Sequence, residues 1–246
     1  MPGDLALRFR LFGFPVSVSL FFVLIAAVLG SEGTRTSVAS IVSWVGIVFV
    51  SVLLHELGHA FAARSYGQSP SISLHGLGGL TSWQQRGEMT AGRRLMVALA
   101  GPVAGLAFAV TVAVVGRMVT ASGTEARAMV RMVFAVNVFW GFLNLIPMLP
   151  LDGGSVMAAV FDLVAPGRGR RAARYVSIVV ALAVGAFMVA WGSIMFGLLC
   201  GLFIYTNVLE LRRPPVPPSA AVIDLEAQTL PNEPPTEPPG NRPPGR

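Results

Sequence analysis

Val50-Ser51-Val52-Leu53-Leu54-His55-Glu56-Leu57-Gly58-His59-Ala60-Phe61-Ala62-Ala63 lies near the end of an apolar run extending from Val38 to Tyr66. A helical membrane span needs about 20 predominantly apolar residues, and this run is long enough. Within it stand two histidines and a glutamate as H-E-x-x-H. Residues four apart share one face of a helix, so both imidazoles can converge on one metal, and Glu56 is placed to act as general base toward a water there. Ionisable groups inside a span are costly unless they have a function or a partner. The chain has only three histidines, and two of them form this motif.

Working outward, further apolar stretches occupy about Leu11–Gly30, Leu95–Val119, Ala128–Leu149, Tyr175–Ala190 and Ile194–Leu211. These predict an all-α polytopic membrane protein of about six transmembrane helices, the last two forming a hairpin around Trp191-Gly192-Ser193. A further apolar piece, Val156–Val164, makes five or seven spans the alternatives. Composition agrees. Of 246 residues 54% are hydrophobic and 12% charged, against roughly 25% charged in soluble domains. A soluble enzyme, a disordered chain and a fibrous repeat are thereby excluded. A single cysteine, Cys200, excludes a disulfide framework and a thiolate zinc cluster.

The net charge of +6 is carried by 18 arginines and no lysine. With a cytoplasmic N-terminus, fourteen lie inside and four (Arg35, Arg117, Arg127 and Arg131) outside. That satisfies the positive-inside rule and gives no nucleic-acid-binding face. The expected location is a cell membrane crossed several times, with both termini cytoplasmic. Arg8 and Arg10 before the first stretch also suit a signal peptide, but its apolar part is too long and no clean cleavage site closes it.

The expected organisation is a cytoplasmic N-terminus at 1–10, a membrane core at 11–211 and a Pro-rich, disordered cytoplasmic tail at 212–246. Eleven of those last 35 residues are proline. Between Tyr66 and Arg93 polarity rises. Alternating and β-branched residues around Gly76, Gly78 and Gly79 predict a small membrane-associated β-hairpin or re-entrant loop near 69–88.

A catalytic zinc site usually has three protein ligands and an open position. Most acids lie in loops or the tail. Asp152 stands out in Asn144-Leu145-Ile146-Pro147-Met148-Leu149-Pro150-Leu151-Asp152-Gly153-Gly154. Two prolines break the helix before it, and two glycines give the backbone freedom after it. Non-helical backbone at membrane depth is tolerated only where it is buried or lines a wet cavity. By helix rise His55 lies roughly 13 Å from Arg64 at the cytoplasmic end, a depth Asp152 shares. A plain helix N-cap is the other reading of Asp152.

The two motifs together resemble the site-2 protease family of intramembrane zinc metalloproteases, most closely the compact bacterial branch that includes the sporulation factor protease. The resemblance runs from about Pro15 to Leu211. It implies one Zn²⁺ per chain on His55, His59 and Asp152, with Glu56 as base. It implies that Gly78 and Gly79 belong to a membrane-embedded hairpin near the site. It also implies that Asn144 and Pro147 shape the site, and that Asn137 is a further in-membrane amide. Where the family often has Asn, this chain has Gly105, which leaves Gly101 and Gly105 spaced for close helix packing. Only 93 positions separate His59 from Asp152. No PDZ domain fits there, and the tail is too short for a CBS domain.

The implied activity is cleavage of transmembrane protein substrates within the lipid bilayer, in regulated proteolysis or clearance of signal-peptide remnants. A catalytically silent scaffold would show damage to one of the four residues. An ion transporter would show charges on several spans and inverted repeats. Neither is seen. Asn144 reads equally as an oxyanion donor or as an amide satisfying carbonyls freed by Pro147, and His75 reads as an ordinary loop histidine.

Overall fold

The computed structural model describes residues 5–31, 37–76, 78–84, 89–119 and 125–213. Contacts divide the chain into two compact units, Met1–Val208 and Leu209–Arg246. In the second, Glu210 and Arg213 form an ion pair. The Pro-rich tail expected there lies, from residue 214 on, outside the described residues.

Seven helices and four strands are described. Strands β1 (Ala6–Leu11) and β2 (Phe14–Ser19) precede helices α1 (Leu20–Ser31) and α2 (Val38–Ser65). Then come β3 (Ser69–His75), β4 (Gly78–Gln84), α3 (Ala91–Val119), α4 (Glu125–Asn144), α5 (Asp152–Val164), α6 (Gly169–Ala190) and α7 (Ile194–Arg212). Helices α2, α3, α4, α6 and α7 are each long and apolar enough to cross a membrane. Exposed Val103, Val110 and Val114 on α3 are typical of their outer faces, where lipid tails rather than protein meet the side chains. The helical hairpin expected at residues 191–193 is present, turning through Gly192 at φ +87°.

The first expected span is corrected. Leu11–Gly30 is half strand and half helix: α1, at 12 residues, is about 18 Å long and alone shorter than a ~30 Å hydrocarbon core, but β2 and α1 in succession run beside α2 from Phe12, at Arg64, to Ala26, at Trp44. The reason is local. Phe14, Val16 and Val18 are buried at alternate positions, the period of a strand, while Pro15 and the serines between them face the other way.

The expected hairpin is present as β3–β4, but within a larger sheet. The strand order is β1-β2-β3-β4. The β1–β2 and β3–β4 pairs are antiparallel, and β2 and β3 run parallel with Val16 opposite Ile72. The inner face of the sheet (Phe14, Val16, Val18, Ile72, Leu74) packs with Val52, Leu53 and Leu57 of α2 and Phe22 of α1 in one core cluster. Arg64 at the end of α2 donates to the Phe12 carbonyl at 2.8 Å and lies 4.1 Å over the Phe14 ring. The sheet is thus fastened to the helix that carries the metal motif.

Helices α2 and α3 meet closely. A Cβ on Gly58 would collide with the Ala100 carbonyl, and one on Gly101 with the His59 ring. Gly101 thus serves the close packing expected of it, bringing α3 up against the motif, whereas a Cβ on Gly105 would meet only ordinary contacts with Asn137 and His55. Asp162, near the end of α5, accepts from Arg94 of α3 at 2.8 Å and from the Gly169 amide at the start of α6.

Candidate metal centre

His55 and His59 are buried on one face of α2, at 5% and 6% exposure. His59 Nδ1 lies 2.7 Å from the Val97 carbonyl oxygen. A carbonyl only accepts, so Nδ1 carries the proton, and the Nε2 lone pair is turned toward the site.

Asp152 comes from 97 positions further along the chain. Its Oδ2 is 2.9 Å from His55 Nε2 and its Oδ1 is 3.2 Å from His59 Nε2. One donor atom from each residue falls within a 4.8 Å group. The capping alternative does not hold: Leu151 is the N-cap, without a side-chain cap bond, and Asp152 is the first residue of α5.

The two glycines after Asp152 have a role other than loop freedom. Both are helical, and a Cβ on Gly153 would strike the Leu145 and Ile146 carbonyls, one on Gly154 the backbone at Met148 and Leu149. They let α5 fold back tightly on the segment that leads into it. That segment is held from below. The Leu149 amide donates to Ser177 Oγ at 2.8 Å, and Asn207 Nδ2 donates to the Leu149 carbonyl at 2.8 Å. Met148 is buried with Ala181, Cys200 and Phe203. Asn207→Leu strands a half-buried carbonyl, so it is expected to destabilise the protein by about 1 kcal/mol, measurable as a lower Tm in detergent.

Glu56 is buried and points to the sheet. Thr81 of β4 donates to Glu56 Oε2 at 2.7 Å, with the Glu56 peptide oxygen at 3.1 Å. Gly79, two residues earlier on the same strand, has no room for a Cβ beside the Glu56 carboxylate. Gly78, at φ +123°, takes a conformation that side-chain-bearing residues rarely adopt.

Asn144, the last residue of α4, brings its amide nitrogen to 3.4 Å from His55 Nε2. It stands at the rim of the site. Asn137 is buried one layer away, donating to Ser51 Oγ and the Val133 carbonyl, both at 2.8 Å. Pro147 is exposed in the connecting segment, and His75 at the hairpin end is not brought to the cluster. Sequence reasoning missed Thr81, Ser177 and Asn207. Only Ser177 carried a signal, as a lone polar residue among apolar neighbours; Thr81 stands beside Ser82 and Asn207 beside Thr206.

Two imidazoles and one carboxylate form a nitrogen–oxygen set suited to Zn²⁺ and poorly suited to Mg²⁺ or Ca²⁺, which take oxygen ligands. The Asp152 side chain keeps 20% exposure, so one side of the cluster is open to a fourth ligand. The residues fit a catalytic metal.

A bundle of apolar helices, with H-E-x-x-H on one and an aspartate closing the triad from another, places the molecule among membrane-embedded proteins of the H-E-x-x-H metallopeptidase class. The family model for peptidase family M50 matches residues 43–124 and 118–189, and the chain belongs to that family. It is a multi-pass membrane protein. A zinc metalloprotease of Methanocaldococcus jannaschii is 27% identical over 159 residues, covering 63% of this chain and 44% of that protein. A putative zinc metalloprotease of Mycobacterium tuberculosis is 32% identical over 177 residues, covering 67% and 44%. One from Synechocystis is 34% identical over 115 residues, covering 46% and 30%. The chain thus spans less than half the length of these curated relatives. The site-2 protease from Methanocaldococcus jannaschii has the same fold, with TM-score 0.63 and 24% identity over 86% of this chain and 98% of that one.

Proposed function

We propose that the protein is a zinc-dependent endopeptidase that hydrolyses peptide bonds within transmembrane segments of other membrane proteins. The observation that carries this reading is the convergence of His55, His59 and Asp152 beside a carboxylate, Glu56, that is not itself one of the three donors. His55 and His59 Nε2 and one Asp152 oxygen would hold the metal. When bound, zinc supplies Lewis acidity, polarising a carbonyl and bringing the pKa of a water ligand to about 7.

The remaining steps belong to the chain. Glu56 takes the proton of the attacking water and delivers it to the leaving amine nitrogen. The Asn144 amide at the rim is positioned either to donate to the scissile carbonyl oxygen or to steady the His55 ring. Gly79 lets the hairpin lie close to the Glu56 carboxylate, and Gly78 supplies the positive φ at the start of its second strand. An intact helical substrate hides its carbonyls in i→i+4 bonds, so it must unwind locally. An extended stretch pairing along the edge strand β4 would satisfy the freed groups.

Orientation follows the arginines. With β2 and α1 together as the first crossing, we place both termini in the cytoplasm of a bacterial inner membrane and the cut in the cytoplasmic half of the substrate span. In a Cys200→Ser background, single cysteines at Ser69 and Gly167 should be shielded from an impermeant reagent outside intact cells, while one at Glu125 reacts. The reverse pattern inverts the topology.

The function is tested with the full chain in liposomes carrying a transmembrane substrate that has a helix breaker in its span. Cleavage should depend on zinc, stop on chelation and return on re-addition. A zinc-loaded wild-type protein that cleaves no span in such a panel, nor in cells, is a scaffold instead.

A further inference from the structure

The hairpin does more than border the site: it grips the residue read as base. Of the two oxygens of the Glu56 carboxylate, Oε2 accepts the Thr81 hydroxyl at 2.7 Å. Oε1 is the oxygen nearest the place where a Cβ of Gly79 would stand. Residues 79 and 81 lie on the same face of β4, and they act on the two oxygens in complementary ways. One supplies a donor, and the other withholds a side chain.

Glu56 has no other side-chain partner among the described residues and their hydrogen bonds. A glutamate side chain has three rotatable bonds, and holding it in one rotamer costs conformational entropy. A fixed hydroxyl on a strand offsets that cost and selects one rotamer. With Oε2 committed as acceptor, Oε1 is left free to take a proton.

We propose that Thr81 is the positioning residue for the general base, and that β4 thereby joins substrate reception to base alignment. This rests on the peptidase reading above. Partners of this kind, which orient a reacting group without touching substrate, typically matter by roughly 10–100-fold. The sheet gives the strand its rigidity. Thr81 is opposite Ile72 and Gly79 opposite Leu74 in the β3–β4 ladder, and Ile72 and Leu74 are buried at 2% and 0% exposure.

The test compares Thr81→Val, Thr81→Ser and Glu56→Gln in the zinc-loaded full chain. Valine keeps the shape and strand propensity of threonine and removes only the hydroxyl. Thr81→Val should lower kcat roughly 10–100-fold with KM and zinc content unchanged, and Thr81→Ser should restore kcat. In the cobalt(II)-loaded proteins, the visible bands that report the open coordination position should shift in Thr81→Val as they do in Glu56→Gln, and not in Thr81→Ser. A Thr81→Val protein with wild-type kcat and bands overturns the proposal, as does a change confined to KM or a serine variant as impaired as the valine one. Failure of the wild-type protein to bind metal or cleave defeats the peptidase reading itself, and that outcome is seen without any Thr81 variant.

Discussion

Glu56→Gln should retain its zinc and lose peptidase activity by about 10²–10⁴-fold, the contribution expected of a positioned general base. Glutamine has nearly the shape of glutamate, and its amide oxygen can still accept the Thr81 hydroxyl that now lies 2.7 Å from Oε2. The side chain therefore stays in place while its capacity to take a proton is gone. Zinc content by elemental analysis, set beside the cleavage rate, separates this from misfolding. Near-normal turnover by the glutamine variant would remove Glu56 from the reaction.

Asp152→Ala is expected to have the second large effect, of a different kind. The two histidines remain on α2, but the anionic donor that meets them at 2.9 and 3.2 Å is lost. A catalytic zinc site reduced to two protein ligands holds its metal poorly. Zinc should leave on dialysis against a weak chelator, and activity should fall with it. The contrast with Glu56→Gln is the informative result, since one variant is inert and loaded and the other inert and empty. A fully metallated Asp152→Ala protein would mean that another residue is the third ligand.

What could be read from the chain, and what could not, divides along the range of the interactions. The H-E-x-x-H pair is local, set by one turn of helix, and its geometry follows from spacing alone. The partnership with Asp152 crosses 97 positions, yet it too was legible, because few acids share that depth and only one follows a Pro-broken helix end. The strands β1 and β2 were hidden by composition. Phe14-Pro15-Val16-Ser17-Val18-Ser19 runs straight into an apolar helix, and a window long enough to find spans averages away the two-residue period within it.

The glycines at 153 and 154 were found but read as flexibility. Their use is close approach, which depends on where the Leu145 and Ile146 carbonyls fall. Thr81, Ser177 and Asn207 could not be ranked from sequence, since a threonine, a serine or an asparagine bonded within its own helix or hairpin looks the same as one reaching across to another element.

The parallel pairing of β2 with β3 sets an order of events in the making of this protein. Val16 meets Ile72, and the chain between them contains both α1 and α2. Non-local pairings that close long loops form late, after the entropy of closure has been met by other contacts. The first two strands can pair with each other as they leave the ribosome, but β2 waits for β3 until α1 and α2 have been made. Insertion and competence are therefore separate moments. A chain whose helices are seated but whose two hairpins have not yet joined already has its histidines in register on α2, while the strand pair that carries the Thr81 hydroxyl still lacks the support of β2.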